Sequence, residues 1–451
     1  MSSILLTAGV DLHALHRLNP ARYPFLLQST AAESDLGGFD ILMLSQGDAL
    51  VLEAPGELSG HGAAGHTDFL VALDDWWQEE RVQKGSREWP FDGGWFLYLG
   101  YELAAEVEPT LALQPDPILP TAFAVRCTAA LIREHQSGNC HFVAESGSAF
   151  DLQMIEDDIA AASELPATNA LDADRIINEK SVAEEDPALF LDAVANAKHL
   201  IANGEIYQAN LSRGWSASVN DVDPNRVYEI LCKSNPGPFA GLLYWDGVSV
   251  VSSSPERLLR VKDGTVSTRP IAGTRPRSDD EELDSQLLQE LIQDPKERAE
   301  HVMLIDLERN DLGRVCDAGT VQVDEMMIVE SYAHVHHIVS NVKGEMRQDV
   351  TPGDAIRAVF PGGTITGCPK VRCMEIISDL EAGPRGAYTG SFGYLNRDGN
   401  LDLNILIRTM VIRDDEITFR AGSGIVADSD PDAELQETRA KAKGLLRAIT
   451  A

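Results

Sequence analysis

Positive charge is what this chain lacks most. Its 451 residues carry 37 lysines and arginines against 71 aspartates and glutamates, a net charge of -34 with histidine neutral. No basic run offsets this excess, so a polyanion such as nucleic acid would be repelled and is excluded as a partner. Long apolar runs are also missing. Nowhere do about 18 apolar residues follow one another, which argues against a membrane-spanning helix. The opening Met1-Ser-Ser-Ile-Leu-Leu-Thr7 has neither a basic n-region nor a sustained apolar core, so the expectation is an untargeted protein of the cytoplasm. Cysteine is sparse: Cys127, Cys140, Cys232, Cys316, Cys368 and Cys373 form no Cys-x-x-Cys pair. Reduced thiols are the simpler reading in a protein long enough to hold itself together without bridges.

What is present is a core. A hydrophobic fraction of 44% supports one, and the length suggests roughly three average domains or one large mixed one. Up to residue 145, short apolar runs alternate with Gly, Asp and Pro turns. Phe39 to Ser45, a Gln46-Gly-Asp48 turn and Ala49 to Leu52 read as an antiparallel hairpin. An acidic stretch from 146 to 185 holds the weakest core signals, apart from a helix near Leu152 to Ala162, and reads as a connector. Residues 186–451 form the third part. It opens on a helix whose N-cap is Asp186, with Pro187 in the first turn and Gly204 at the end. Three Asp-Gly pairs, at 246–247, 263–264 and 398–399, mark hairpins, so the sheets should be largely antiparallel. Helical patterns over Asp284 to Glu308 and Pro431 to Ile449 complete an α+β reading, and no internal repeat is found.

Candidate chemistry starts at Ser254 to Arg277. Glu256 lies in a Pro-bounded turn, followed by a Gly273 bend flanked by Arg269, Arg275 and Arg277, as a site for a small anion and an acid-assisted leaving group requires. Glu297 and Glu300 stand three apart on a predicted helix, as do Glu434 and Glu437 on another, so each pair shares a face and the two faces could clamp a hard divalent cation. Taken alone, such pairs in an acidic protein usually face solvent, and a lone Pro-Glu usually caps a backbone amide.

Three further segments follow in a telling order: Gly204-Glu-Ile-Tyr-Gln-Ala-Asn-Leu-Ser-Arg213, Pro361-Gly-Gly-Thr-Ile-Thr-Gly-Cys-Pro-Lys370 and Ala421-Gly-Ser-Gly-Ile-Val-Ala-Asp-Ser429. With these the chain resembles the chorismate-utilising enzymes, the family of anthranilate synthase component I, densely from about Pro187 onward. The resemblance implies two packed, largely antiparallel sheets surrounded by helices. It implies Glu256 as the general acid that protonates the departing 4-hydroxyl of chorismate, and His337 beside the reacting ring. Arg408 and Tyr388 would hold a carboxylate, with the backbone of Gly422, Ser423 and Gly424 alongside and with Thr274 and Thr364 as further substrate contacts. Glu300 and Glu437 would bind Mg²⁺ directly and Glu297 and Glu434 through water, with Lys441 in the same network.

The resemblance also bears on the nucleophile. Family members that add water carry a lysine base where this protein has Gln208, whereas those that use ammonia carry glutamine, so amination is implied. No cysteine lies in a recognisable amidotransferase motif, so ammonia would come from a separate glutaminase subunit or from solution. Two products remain open. Ala272 stands where many enzymes forming 4-amino-4-deoxychorismate carry a nucleophilic lysine, and alanine there is typical of anthranilate formation with loss of pyruvate. Phe360 to Gly367, Val335-His-His337, Gly390 to Leu395 and Gly424 to Ser429 with Gln436-Glu-Thr438 look instead like the aminodeoxychorismate branch. Phe25-Leu-Leu-Gln-Ser29 lacks the Leu-Leu-Glu-Ser of tryptophan-inhibited enzymes. The reading is therefore amination to 4-amino-4-deoxychorismate, with ammonia in place of the missing lysine as first nucleophile. A non-enzymatic acidic cation-binding protein is the remote alternative, and no Asp-x-Asp-x-Asp-Gly loop supports it.

Overall fold

The computed structural model of the protein describes residues 2–6, 9–31, 37–83, 88–166, 181–278, 280–332 and 335–450. Asp-Gly pairs set its hairpins as the sequence predicts. Asp246 (φ 44) and Gly247 (φ 80) turn Phe239–Trp245 into Val248–Ser254, and Asp263 (φ 55) and Gly264 (φ 90) turn Arg257–Lys262 into Thr265–Arg269. Positive φ at both central residues gives a turn whose twist matches paired strands, and Asp followed by Gly enters it at little steric cost. Asp398-Gly399, with the glycine at φ 88, lies in the longer turn that joins Ser391–Asn396 to Leu401–Asn404.

All the strand pairings described are antiparallel. A long ribbon, Phe39–Leu52 on Ala122–Glu134, is the hub. One wing leaves it through Phe25–Gln28, Phe239–Trp245, Val248–Ser254, Thr409–Arg413 and Glu416–Ile425 to Gln208–Ser218. The other leaves through Gly94–Leu99, Ser391–Asn396, Leu401–Asn404, Arg257–Lys262 and Thr265–Arg269 to Val335–Glu345. The wings pack on each other: Leu243, Val248 and Val250 of the first share a buried cluster with Phe96, Tyr98 and Phe392 of the second. Phe25 stacks on Phe96 with ring centroids 3.8 Å apart. The α+β architecture of two packed antiparallel sheets is thus one hydrogen-bonded network folded on itself.

Helices cover the outside. Pro187–Ala202 starts where Asp186 accepts from the Ala188 amide, and it buries Phe190, Val194 and Ala197 against Leu211 and Ile425. Pro431–Thr450 buries Leu445, Ala448 and Ile449 in the cluster that contains Trp215 and Phe419. Leu152–Ser163 forms as expected, and residues 167–180 of the acidic stretch lie outside the described residues. No helix among the described residues is long and apolar enough to cross a membrane.

Two expectations are corrected. Gln46-Gly-Asp48 does not turn a hairpin: Phe39–Leu52 is one strand, and the three residues bulge out between Ser45, opposite Cys127, and Ala49, opposite Val125. The partner strand of 13 residues is long enough to pair with both halves, so staying in the ladder satisfies more backbone groups than turning back. The helical pattern from Asp284 to Glu308 is two helices, Glu281–Gln293 and Pro295–Gly313. Proline disfavours α geometry in the residue before it, and Asp294 is accordingly extended (ψ 113). Its side chain then accepts from the Glu297 amide at 3.3 Å and starts the second helix.

Phe25, 1% exposed, pins the wings together. Phe25→Ala should destabilise the protein by about 3–5 kcal/mol, read as a lower urea midpoint; an unchanged midpoint would remove this contact from the interface.

Candidate functional site

Glu256 sits in the short link between Val248–Ser254 and Arg257–Lys262, on the inner side of the sheet. Ser254 fixes the turn: its Oγ accepts from the Glu256 amide at 3.2 Å and donates to the Ile405 carbonyl at 2.5 Å. The carboxyl itself is buried; the Thr364 hydroxyl acts on it, and the Ile271 amide makes a long contact of 3.4 Å. Burial pushes its pKa up to about 8, so near neutrality it is a carboxylic acid able to give a proton.

His337 stands on Val335–Glu345, opposite Thr274 in the register. Its Nδ1 and the Thr274 hydroxyl are 2.8 Å apart, while Nε2 is buried without a partner among the described residues. Burial, then the nearby Arg408 charge, pushes its pKa down to about 3, so the ring is neutral. His336 alternates to the other side as expected, to Ser331 and Asp284.

Arg408 lies between strands at φ 53, a left-handed backbone that costs a residue with a Cβ of order 1–3 kcal/mol. Its guanidinium donates to Asn235 Oδ1 over 3.5 Å and has no carboxylate in ion-pair range among the described residues. Desolvation lowers its pKa, although part of its surface remains accessible. Such a guanidinium is available to a carboxylate ligand.

The other half of the site lies across the Gln208–Ser218 and Glu416–Ile425 pair. Gln208 Nε2 donates to Glu300 Oε1 at 2.6 Å, which settles the amide orientation, since the opposite flip would set two oxygens together. Its Oε1 is then left buried without a partner. Gly422 and Gly424 are needed as glycines. A Cβ on the first would lie 2.8 Å from the Tyr388 hydroxyl, and on the second 2.5 Å from Gln208 Nε2 and 3.3 Å from Glu300 Oε1. The Ser423 side chain points to the opposite face. Pairing with Thr409–Arg413 ends at Phe419, so residues 420–425 are laddered on one edge only, and alternate backbone groups there face the open edge. Lys441 donates to the Gly422 carbonyl at 3.0 Å and pairs with Glu437 at 2.9 Å. Desolvation would lower its pKa, but Glu437 and then Tyr388 and Glu300 override this and leave it raised.

Glu256, His337, Arg408, Lys441, Gln208, Tyr388, Glu300 and Glu437 therefore form one connected set. Thr364 joins it beside Glu256, its buried hydroxyl acting on that carboxyl. Ala272 is buried opposite Ile338 and offers no nucleophile. Glu434 is buried one turn before Glu437. Glu297 is engaged elsewhere, by Arg275 at 3.1 Å, and packs under the Gly273 bend. Among the described residues no three His, Cys, Asp or Glu side chains cluster as a metal cage. Glu300 and Glu437, both acting on Lys441, still suit Mg²⁺, which takes only one or two carboxylates.

Two groups carry no motif in the sequence. Glu381 accepts from Arg385 at 2.6 Å and Arg420 at 3.1 Å, and Arg385 lies 5.7 Å from the Tyr388 ring centre, so a buried ion network backs that tyrosine. Glu308 is buried two turns beyond Glu300 on the same helix. Its i+8 spacing from Glu300 was the available signal.

This antiparallel α+β scaffold with a buried acid, a neutral histidine and an unpaired arginine defines an enzyme that works on an anionic small molecule. The chain belongs to the chorismate binding enzymes, whose family pattern matches residues 25–447. The anthranilate synthase component I-like protein of Synechocystis is 43% identical over 367 residues, 80% of this chain and 73% of that protein. The aminodeoxychorismate synthase component 1 of Bacillus subtilis is 38% identical over 387 residues, covering 85% and 82%. The crystal structure of anthranilate synthase component I from Streptococcus pneumoniae superposes with a TM-score of 0.79 at 31% identity, over 92% of this chain and 93% of that one.

The His337 ring should stay neutral under all working conditions. Its imidazole resonances in a pH-resolved NMR titration are expected to stay constant from pH 8 down to about 5; a midpoint near the ordinary histidine value would overturn the buried, neutral assignment.

Proposed function

We propose that the protein aminates chorismate to 4-amino-4-deoxychorismate. The observation that carries amination is the Gln208 side chain. Its nitrogen is committed to Glu300, so it presents a carbonyl oxygen that can accept an N–H but cannot take up a proton as a base would. A water nucleophile would need such a base; ammonia does not. In the first step ammonia forms a bond to ring carbon 2, the double bonds shift, and the C4–O bond breaks. Glu256 gives its proton to the departing hydroxyl, which leaves as water, and the new ammonium group loses a proton to restore the acid. A second ammonia then bonds to carbon 4, the double bonds shift back as the C2–N bond breaks, and the proton lost by the new ammonium group leaves with the first amine as ammonia, so no enzyme adduct is required at Ala272. Arg408 and Tyr388 hold a substrate carboxylate, and neutral His337 presents Nε2 to the ring without adding charge.

Glu300 and Glu437 would hold Mg²⁺, with Glu434 behind them and Lys441 between. The ion would supply the positive charge that a second substrate carboxylate calls for. Ammonia is supplied by a separate glutaminase subunit or from solution. No thiol of this protein is poised as a glutaminase nucleophile: burial pushes Cys127, Cys232 and Cys373 up to about 12 and Cys140 and Cys316 up to about 11, and it raises Cys368 as well. A second reading, anthranilate formation, is favoured by Ala272 and by the names of the Synechocystis and Streptococcus relatives. It uses the same first intermediate, which then loses pyruvate.

Product analysis separates the two. Purified protein with chorismate, Mg²⁺ and ammonium salt is expected to yield 4-aminobenzoate only when an aminodeoxychorismate lyase is added; anthranilate without the lyase would establish the second reading. The metal assignment is tested by calorimetry. Glu300→Gln and Glu437→Gln should each weaken Mg²⁺ binding by more than about tenfold and lower turnover, and unchanged binding in both would remove these residues from the metal site.

A further inference from the structure

Glu308 has no part in the reaction as described, yet it is a buried carboxyl, 6% exposed, facing the same turn as the acid. It points from Pro295–Gly313 at Gly363: a Cβ there would lie 3.2 Å from Glu308 Oε1 and 2.5 Å from Leu307 Cδ2, so this position has no room for a side chain. The next residue, Thr364, adjoins Glu256, so the two carboxyls flank one tight turn. The buried Thr268 hydroxyl and the Gly363 amide act on the Glu308 carboxyl, as the Thr364 hydroxyl acts on Glu256. On the far side of Glu308, Asp311 is matched by Lys370 at 2.5 Å and Arg314 at 3.1 Å. Those two cations are thereby engaged with Asp311.

We propose that Glu308 is a positioning residue that helps keep Glu256 protonated at neutral pH: both carboxyls are buried at the Gly362-Gly363-Thr364 turn, and the charge of an ionised Glu308 opposes ionisation of Glu256. The inference rests on the reading of Glu256 as the acid of the chorismate reaction. The charged groups around the pair are Lys441 and Arg408 on the Glu256 side, and Asp311 and Lys370 on the Glu308 side. Burial raises both carboxyls, Glu256 to about 8 and Glu308 to about 7, and Glu308 adds repulsion to an ionised Glu256. A raised acid pKa keeps the proton donor loaded below that value, and activity is lost as pH rises through it. Removing the Glu308 charge lets Glu256 ionise at lower pH.

Glu308→Gln preserves shape and removes the charge. At saturating ammonia, the alkaline limb of kcat/KM for chorismate consumption should move toward acid by at least about half a pH unit, about threefold in rate on that limb, with little change at the acid end. A uniform drop at all pH values, or superimposable profiles, would overturn the proposal. A readout without substrate separates this from the functional reading: difference infrared spectroscopy of the protonated carboxyl band, titrated with pH. The Glu256 band should lose its proton at lower pH in Glu308→Gln, even if chorismate proves not to be the substrate; an unmoved midpoint would overturn the pairing. If Glu308→Gln does not fold, Glu256→Gln is titrated instead, where the Glu308 midpoint should fall, and an unmoved one counts equally against it.

Discussion

A carboxyl removed from water resists ionisation, because the charged form loses hydration that the interior does not return. The catalytic end of this protein is arranged around that constraint. Glu256 is fixed at its backbone by Ser254, and the Thr364 hydroxyl and Ile271 amide at its carboxyl do not offset burial, which is the main cause of its raised proton affinity. Glu381, equally interior, has the reverse environment, with Arg385 and Arg420 in direct contact, and its pKa is lowered. Two buried glutamates in one fold thus do opposite things. The first is held as a neutral acid, as the proposed proton donor must be, and the second is a fixed anion that holds the arginine behind Tyr388 in place.

The same physics answers the difficulty raised by a net charge of -34. A dicarboxylate is disfavoured by the overall field, but exposed charges more than about 10 Å away are screened at ordinary salt. What matters is the local balance inside the cleft. There Arg408 has no carboxylate partner among the described residues, His337 is neutral and Glu256 carries a proton, so the walls that meet the ring carry little negative charge. The remaining anions, Glu300 and Glu437, are drawn to Lys441 at one end. Substrate affinity is therefore built by withholding ionisation from some groups and concentrating it in others, which composition does not reveal.

Much of this was legible in the sequence because it depends on local stereochemistry. Asp186 with Pro187 announces a helix start, and Asp246-Gly247 and Asp263-Gly264 announce turns, since each works through its own backbone. Gln46-Gly-Asp48 misled for the complementary reason: whether such a triplet turns or bulges depends on the length of a partner strand about 80 residues away. Pro295 carries its own break signal, which the helical periodicity around it masks. Within the site, motifs named Glu256, Arg408 and Gln208, but no sequence pattern shows which end of an amide is already bonded or which carboxyl is buried. Glu308 was hidden for that reason. It lies in a run of acidic and apolar residues, where its i+8 spacing from Glu300 is a weak signal, and the approach of Gly363 is what distinguishes it from a solvated helix face.

Ala272 shows how far a single position can carry an argument about outcome. A lysine there would attack ring carbon 2 and leave an adduct for ammonia to displace at carbon 4; alanine removes that route but leaves the acid, the carboxylate clamp and the glutamine in place. Ammonia at carbon 2 then gives an intermediate common to both products. Its fate depends on whether a second ammonia reaches carbon 4 before the ether bond to the three-carbon substituent breaks and pyruvate leaves. Loss of pyruvate requires a proton to be taken from carbon 2, and the groups around the cleft are poorly suited to take it: His337 is neutral with a much reduced basicity, and Gln208 is not a base. On the proposed reading Glu256 becomes a base near the ring once it has given up its proton, and a neighbour that helps it recover that proton shortens the time in which it can act as one. On the proposed reading, retaining the substituent is the outcome that this arrangement of protons favours, on the same ground of buried charge from which the site is built.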